Sequence, residues 1–467
     1  MSVEKETKKE IFWTENGEPK IKHVGVLKFL EDIGYVRVNI GDNNHVFAKM
    51  VNNRLRQSNE GQMANDIKDF LIQNNKSEVL EVFVKGVGSY ITSKKLDMLP
   101  AIENINDRDD MKSSKFYFKN CFCEVTKDKI SHCDYSILER PIWESRIVQK
   151  SFSHPAEGGQ FEKFCENITG QNQERLLALK TILGYLLHRN KEVGEPKAII
   201  LYDENMTQNN QAHGGTGKTL LSMSLEFCRE VEIFDAKDIK DGSWFKNQRI
   251  ELTTDILVYD DLKRNYSFEN FFPMITSGIE VERKREKAFK IDFKNSPKIL
   301  ISSNYYVSGP GGPSDERRRH EFEVNNYYNQ HFTPEMEFGN RFFGAQWDEQ
   351  EWSKFYHFMM SCCQAYFQFG LHKVPHINLS KNKFLDGLNE QFVTYADTYV
   401  QNDTLIDKRK FETEFKYFYP DMEKISTHQI TKWLDIYATK KGGTLATKSS
   451  GGNYTFILNS NTIQNEI

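Results

Sequence analysis

The stretch Ala212-His213-Gly214-Gly215-Thr216-Gly217-Lys218-Thr219 decides how this chain is read. It matches the nucleotide-binding P-loop pattern, with Ala212 where the first glycine usually stands. At the glycines, backbone N–H groups free of side-chain hindrance can converge on phosphate oxygens. Lys218 supplies a point charge for the outer phosphates, and the Thr219 hydroxyl is a ligand for Mg²⁺. The apolar run KAIILY (197–202) precedes the loop as a strand, and TLLSMSLEFCRE (219–230) follows as a helix offering its positive end. The spacer Asp203–Gln211 is a departure, since direct entry from strand to loop is commoner. Strand, loop and helix in this order argue for a cradle of Gly214, Gly215, Thr216, Gly217, Lys218 and Thr219.

Working outward, DILVYDD (255–261) is an apolar strand ending in paired carboxylates. Asp260 suits a Mg²⁺-side group beside Thr219, and Asp261 a base or water-orienting group. PKILISSN (297–304) is a further buried strand, and Asn304 at its end is a candidate to hold the attacking water or the γ-phosphate. A strand closing in Asn is equally a turn signal, so the order of the motifs carries the weight. Short β-rich runs alternating with helical patterns predict an α/β fold with a parallel sheet. Asp315-Glu316-Arg317-Arg318-Arg319 follows the flexible SGPGGP loop (308–313). Arg318 or Arg319 is expected to reach a neighbouring subunit's γ-phosphate as an arginine finger. The competing reading is a solvated basic run neutralised by Asp315 and Glu316.

The chain has 467 residues, 38% hydrophobic and 27% charged, a composition that suits two to four folded domains. A formal charge of −4 excludes an overall basic wrap, so any nucleic-acid site is a local patch. No apolar run reaches the roughly 18 residues needed to span a bilayer. The start, MSVEKETKKE, is charged and lacks a signal-peptide apolar region. Seven cysteines in so long a chain fit a reducing compartment. A cytoplasmic protein is the expectation. Cys121, Cys123, His132 and Cys133 do not have zinc-site spacing, and the cysteines are expected as buried free thiols, with Cys362-Cys363 in a core.

Five segments are expected: an N-terminal mixed α/β domain (1–110), a hairpin and helical collar (111–194), a P-loop ATPase core (195–345), a helical lid (346–375) and a winged-helix-like module (376–467). In the first, GYVRVNI, HVFAKM and LEVFVKGV look like strands and NDIKDFLIQN like a helix. Asn104–Ser114 looks like a polar linker, with Asp107–Asp110 solvated. KFYFKNCFCEVTKDKI alternates like a hairpin turning near Lys127–Lys129. ERLLALKTILGYLLHRN and the aromatic-rich segment from Glu351 to Leu371 have helical spacing, with Trp352, Phe355, Tyr356 and Met359 as packing residues.

Loop, Asp-Asp strand, basic segment and Ser-Asn strand, compactly spaced, together resemble the superfamily 3 helicases of viruses, phages and plasmids. The likeness is to the helicase portion of phage and mobile-element primase-helicases, relatives of the poxvirus-type enzyme, and covers roughly Lys115 to Leu371. FKNCFCEVTKD, GYLLHR, and SPKILISSNYY with its following RRR carry it most specifically. The resemblance implies an AAA+-type ATPase, using ATP and Mg²⁺, that assembles as a homo-hexamer and translocates on single-stranded or forked DNA. A separate primase or initiator is an implied partner, because nothing before the loop pairs metal-binding carboxylates with a basic nucleotide site. It also implies that GIEVERKREKAFKIDF (278–293) is a DNA-gripping hairpin, with Lys287 the first candidate contact and Lys284 the second. The alternatives are an origin-melting or helicase-loading ATPase, and a nucleotide-binding DNA scaffold.

At the C-terminal end, KFETEFKYFYP, STHQITKWLDIYATKKG and a hairpin-like tail suggest helix, helix and wing. Ser426 would cap the second helix, leaving His428, Gln429, Thr431 and Lys432 exposed for DNA or a protein partner.

Overall fold

The computed structural model describes residues 12–14, 17–39, 45–102, 108–155, 158–206, 215–237, 239, 247–284, 288–450 and 453–460. Two compact units divide the chain: residues 1–201, 214–303 and 307–374 in one, and 202–213, 304–306 and 375–467 in the other.

In the first unit, β1 (Tyr35–Asn39), β2 (His45–Val51) and β3 (Arg54–Gln57) form an antiparallel sheet with the short β4 (Ala101–Ile102) alongside β1. The β2–β3 turn is Asn52-Asn53, both left-handed at φ 50° and 60°, a conformation asparagine tolerates better than most residues. Helices His23–Asp32, Glu60–Gln73 and Ser77–Tyr90 contribute Phe29, Met63, Ile67 and Phe83 to a core with Tyr35. The third of these helices is a correction, since LEVFVKGV, expected as a strand, lies inside it. Val79 and Phe83 are buried at i and i+4 while Glu81 and Lys85 face out. Burying that stripe outweighs the β-propensity of its valines.

Strands β5 (Ser113–Phe118), β6 (Phe122–Thr126) and β7 (Ile130–Cys133) make an antiparallel meander. The expected turn at Lys127–Lys129 joins β6 to β7, and a second tight connection joins β5 to β6. Then β8 (Ile142–Trp143) extends the first sheet and β9 (Ile147–Val148) the second, giving orders β4-β1-β2-β3-β8 and β7-β6-β5-β9. Cys121 and Cys123 are buried free thiols, as are Cys362 and Cys363.

The linker expectation fails at Asp109; Asp107 lies outside the described residues. Asp109 is buried, accepting from Ser114 Oγ (2.6 Å), the Lys115 N–H (3.0 Å), the Arg189 N–H (2.8 Å) and Arg189 Nη2 (3.0 Å). Burial alone pushes its carboxyl up, but the Arg189 and Arg229 charges outweigh that and hold it well below the ordinary carboxylate range. A polar run in sequence hides this, because the pairing arginines lie far along the chain. Asp109→Asn should therefore destabilise the unit by about 3–5 kcal/mol, leaving buried guanidinium charge uncompensated. Urea unfolding checks this. The sign with pH follows: a lowered native pKa means stability present at neutral pH that is lost as pH falls below about 4. The variant should lack that loss.

Next come β10 (Ala198–Asp203), β11 (Val231–Asp235), β12 (Ile256–Asp260), the hairpin strands β13 (Gly278–Val281) and β14 (Phe289–Asp292), β15 (Lys298–Ser303) and β16 (Arg319–Val324). The large sheet has the order β11-β12-β15-β10-β16, with β11–β12 and β12–β15 parallel. Ile256, Leu257, Val258, Ile299, Leu300 and Ile301 are buried, as continuous apolar strands of parallel sheets are. Helices Gln173–Leu187 and Glu349–Phe369 pack closely because residue 184 is glycine; a Cβ there would lie 2.1 Å from the Cys362 carbonyl oxygen. Trp352, Phe355, Tyr356 and Met359 are buried in this core.

The second unit holds helices Leu379–Leu385, Glu390–Tyr399, Lys408–Phe418 and Thr427–Lys440. Strands β17 (Ile406–Asp407), β18 (Gly443–Ser450) and β19 (Asn453–Ser460) pair in the order β17-β19-β18. Phe392, Phe411, Phe415, Leu434 and Phe456 form its core. No described helix is long and apolar enough to cross a membrane.

Candidate functional site

The site is built where the loop at 215–217 enters a helix beside the ends of β12 and β15. Gly214 lies outside the described residues. Gly215 (φ 99°) and Gly217 (φ 104°) both occupy the left-handed region, which glycine enters without strain. A side chain at 217 is also excluded by space, since its Cβ would meet the Phe164 ring at 2.8 Å. Gly217 immediately precedes the helix Lys218–Ser224. Thr216 and Lys218 are buried. The helix is shorter than expected and passes into a 3₁₀ turn, Leu225–Phe227. Ser222 and Ser224 hydroxyls donate back to the carbonyls of Lys218 (3.1 Å) and Leu221 (2.7 Å), contacts that bend and weaken helices.

From this start the Thr219 hydroxyl donates to Asp260 Oδ2 at 3.2 Å. Asp260 closes β12, and its other oxygen accepts from Ser302 Oγ at 2.5 Å. Ser302 Oγ in turn accepts from the Asp261 N–H at 2.9 Å. The parallel register explains the meeting: Tyr259 lies opposite Ile301, so the residues one step on arrive together at the strand ends. Asp261 is left-handed (φ 56°), which turns its side chain out of the strand. Its carboxylate pairs with Lys237 Nζ at 2.6 Å, and that bond raises the Lys237 ammonium's pKa.

One hydroxyl and one carboxylate side by side form a hard oxygen pair of the kind that binds Mg²⁺ while leaving positions for water and phosphate. Thr219 and Asp260 therefore fit the cation expected there. Ser302 and Lys237 were not singled out in the sequence. Nothing in the sequence marks Ser302, whose place follows only from the register of β15 beside β12, and Lys237, just after β11, carries no signal either.

The other candidates lie as follows. Asn304 belongs with residues 304–306 to the second unit. Arg319 is buried and held within its own chain by Asp315 (2.7 Å), Glu321 (3.0 Å) and the Val307 carbonyl (3.2 Å). Arg318 is half-exposed: Nη1 donates to the Ser314 carbonyl at 2.6 Å, and its guanidinium lies 4.6 Å over the Phe272 ring. Strands β13 and β14 pair as a hairpin with Lys284 exposed. Lys287 lies outside the described residues. Arg283 is turned back onto Glu251 at 2.8 Å. In the second unit Ser426 caps its helix, accepting from the Gln429 N–H at 3.2 Å. His428 and Lys432 are exposed and Gln429 is half-exposed, while the Thr431 hydroxyl accepts from Lys408 Nζ at 2.7 Å.

No family model matches this chain, and no curated protein sequence matches it. Among solved structures, the apo C-terminal region of NrS-1 aligns over 93% of this chain and 98% of its own, at 12% identity and a TM-score of 0.40. A shorter version, residues 305–718, covers 74% of this chain and 96% of its own, at 11% identity and a TM-score of 0.34. A ligand-bound JCV helicase covers 51% of this chain and 64% of its own, at 12% identity and a TM-score of 0.26. At such scores these likenesses decide neither fold nor activity.

Proposed function

We propose that this chain is an ATP-dependent DNA helicase of the superfamily 3, AAA+ type, working as a homo-hexameric ring for a phage, plasmid or other mobile element. The observation that carries the reading is the chain of contacts Thr219–Asp260–Ser302–Asp261 beside a loop with two left-handed glycines. Gly214, Gly215, Thr216 and Gly217 would present N–H groups to the phosphates, with Lys218 as their cation. Thr219 and Asp260 would hold Mg²⁺, which lends charge neutralisation to the transferring phosphoryl group. Asp261 would orient the attacking water after exchanging its bond with Lys237. Arg318 would act from the neighbouring subunit. The C-terminal unit, read as a winged helix, would present His428, Gln429 and Lys432 to DNA or to a primase or initiator.

Asp261→Asn should bind nucleotide and hydrolyse it about 10²–10³-fold more slowly, a loss of the size general-base removal gives. An asparagine accepts the left-handed backbone, so fold and binding should persist. Single-turnover hydrolysis measures it, and wild-type turnover would remove Asp261 from the mechanism.

Lys287→Ala should weaken single-stranded DNA binding while leaving basal ATPase intact. Removing one cation that neutralises a phosphate flattens the logarithmic salt dependence by about 0.7. Fluorescence anisotropy at several salt concentrations checks this; unchanged affinity and slope would take Lys287 out of the DNA interface. ATP hydrolysis measured with and without single-stranded DNA tests the whole reading: turnover should rise with DNA.

A further inference from the structure

A second polar concavity lies away from the loop at 215–219, in the N-terminal part of the first unit. It is open, about 840 Å³ in volume, and lined by the β2–β3 turn, Tyr135 and Glu144. Cross-strand register places Lys49 opposite Arg56 and Val51 opposite Arg54, so three cations share one face of the hairpin. Like charges directly opposite one another destabilise a sheet. Here Lys49 is countered by Asp66 at 2.6 Å and Arg56 by a two-point pair with Glu144 at 2.5 and 2.9 Å. Arg54 has no carboxylate within ion-pair distance among the described residues. Its guanidinium instead lies 5.2 Å over the Tyr135 ring, and that ring is fixed by the tyrosine hydroxyl donating to the Phe118 carbonyl at 2.5 Å. Asn52, at the exposed turn, adds an amide to the same rim.

We propose that this concavity binds a single-stranded nucleic-acid segment, its phosphodiesters on Arg54, Arg56 and Lys49 and a base stacked on the Arg54 guanidinium. The chemistry favours this over a small ligand. The space is wide and open, the cations are spread along two strands, and a stacked arginine offers a flat face that an unpaired base can use. A duplex keeps its base faces covered and would forgo that contact. The paired carboxylates anchor Lys49 and Arg56, and phosphates can share those cations.

The test uses the full-length protein without nucleotide and a fluorescein-labelled oligothymidylate. Arg54→Ala combined with Arg56→Ala should lower affinity about tenfold and flatten the salt slope by about 1.4, at about 0.7 for each of the two cations. Basal ATPase and thermal midpoint should stay at wild-type values. Arg54→Lys should keep the slope, because the charge remains, yet lose affinity with the stack. The proposal is overturned if affinity and slope are unchanged, or if the wild type binds no oligonucleotide. It is equally overturned if a mononucleotide or inorganic phosphate competes as well as the oligonucleotide, which would mark a site for free phosphate esters. None of the residues belongs to the Lys218–Asp260 site. Loss of the ATPase reading would leave this slope change standing, and an active helicase lacking it would sink only this proposal.

Discussion

Arg318→Ala is expected to bind ATP and hydrolyse it about 10³–10⁵-fold more slowly, the range attributed to an arginine finger. Arg319 is a poorer candidate, because Asp315, Glu321 and the Val307 carbonyl already occupy its guanidinium. Arg318 is half-exposed, held by the Ser314 carbonyl and by the Phe272 ring beneath its guanidinium, and no carboxylate pairs with it among the described residues. Arg319→Ala should instead act on stability, by removing the buried cation that compensates the Asp315 and Glu321 carboxylates. Mixing Arg318→Ala with Lys218→Ala subunits tests action between subunits. Each parent ring lacks every complete interface, whereas mixed rings contain some with an intact loop facing an intact arginine. Partial recovery of ATPase is the expected result. If Arg318→Ala alone turns over normally, the finger is lost; if it is dead and confirmed subunit exchange restores nothing, action across the boundary is what fails.

Lys218→Ala should lower kcat by about 10²–10³, the loss seen when one pre-organised transition-state interaction is removed. Lys218 is buried at the first position of its helix, immediately after the two left-handed glycines, so little water is available to replace its charge. A phosphate cluster without that cation should also bind more weakly. Because Thr219 and Asp260 remain, residual Mg²⁺-dependent binding should survive and be visible with a fluorescent nucleotide analogue. The thermal midpoint serves as the control against unfolding. Wild-type kcat would show that the loop is a glycine turn with no catalytic part.

Much of the candidate site was legible because its signals are local. Gly215, Gly217, Lys218 and Thr219 follow one another closely, and DILVYDD announces a strand and its acidic end in seven letters. The meeting of Thr219 with Asp260 could be expected from the motif alone. What escaped were partners fixed by distant register: Ser302 is one serine among many until β15 lies beside β12. Asp109 looked like linker because its guanidinium partners lie at Arg189 and Arg229, far along the chain. LEVFVKGV looked like a strand because valine content speaks for β structure, while the helix is decided by which face is buried. The serines that cut the helix after Lys218 short act through back-bonding that apolar periodicity does not register.

Strand displacement on a forked DNA substrate, followed by gel with and without ATP and Mg²⁺, tests the central claim most directly. The wild type should release the labelled strand only when both are present, and Lys218→Ala should release none. ATP hydrolysis without any strand release would contradict processive unwinding and favour an origin-melting or helicase-loading ATPase. DNA binding with neither hydrolysis nor release would contradict the enzyme altogether.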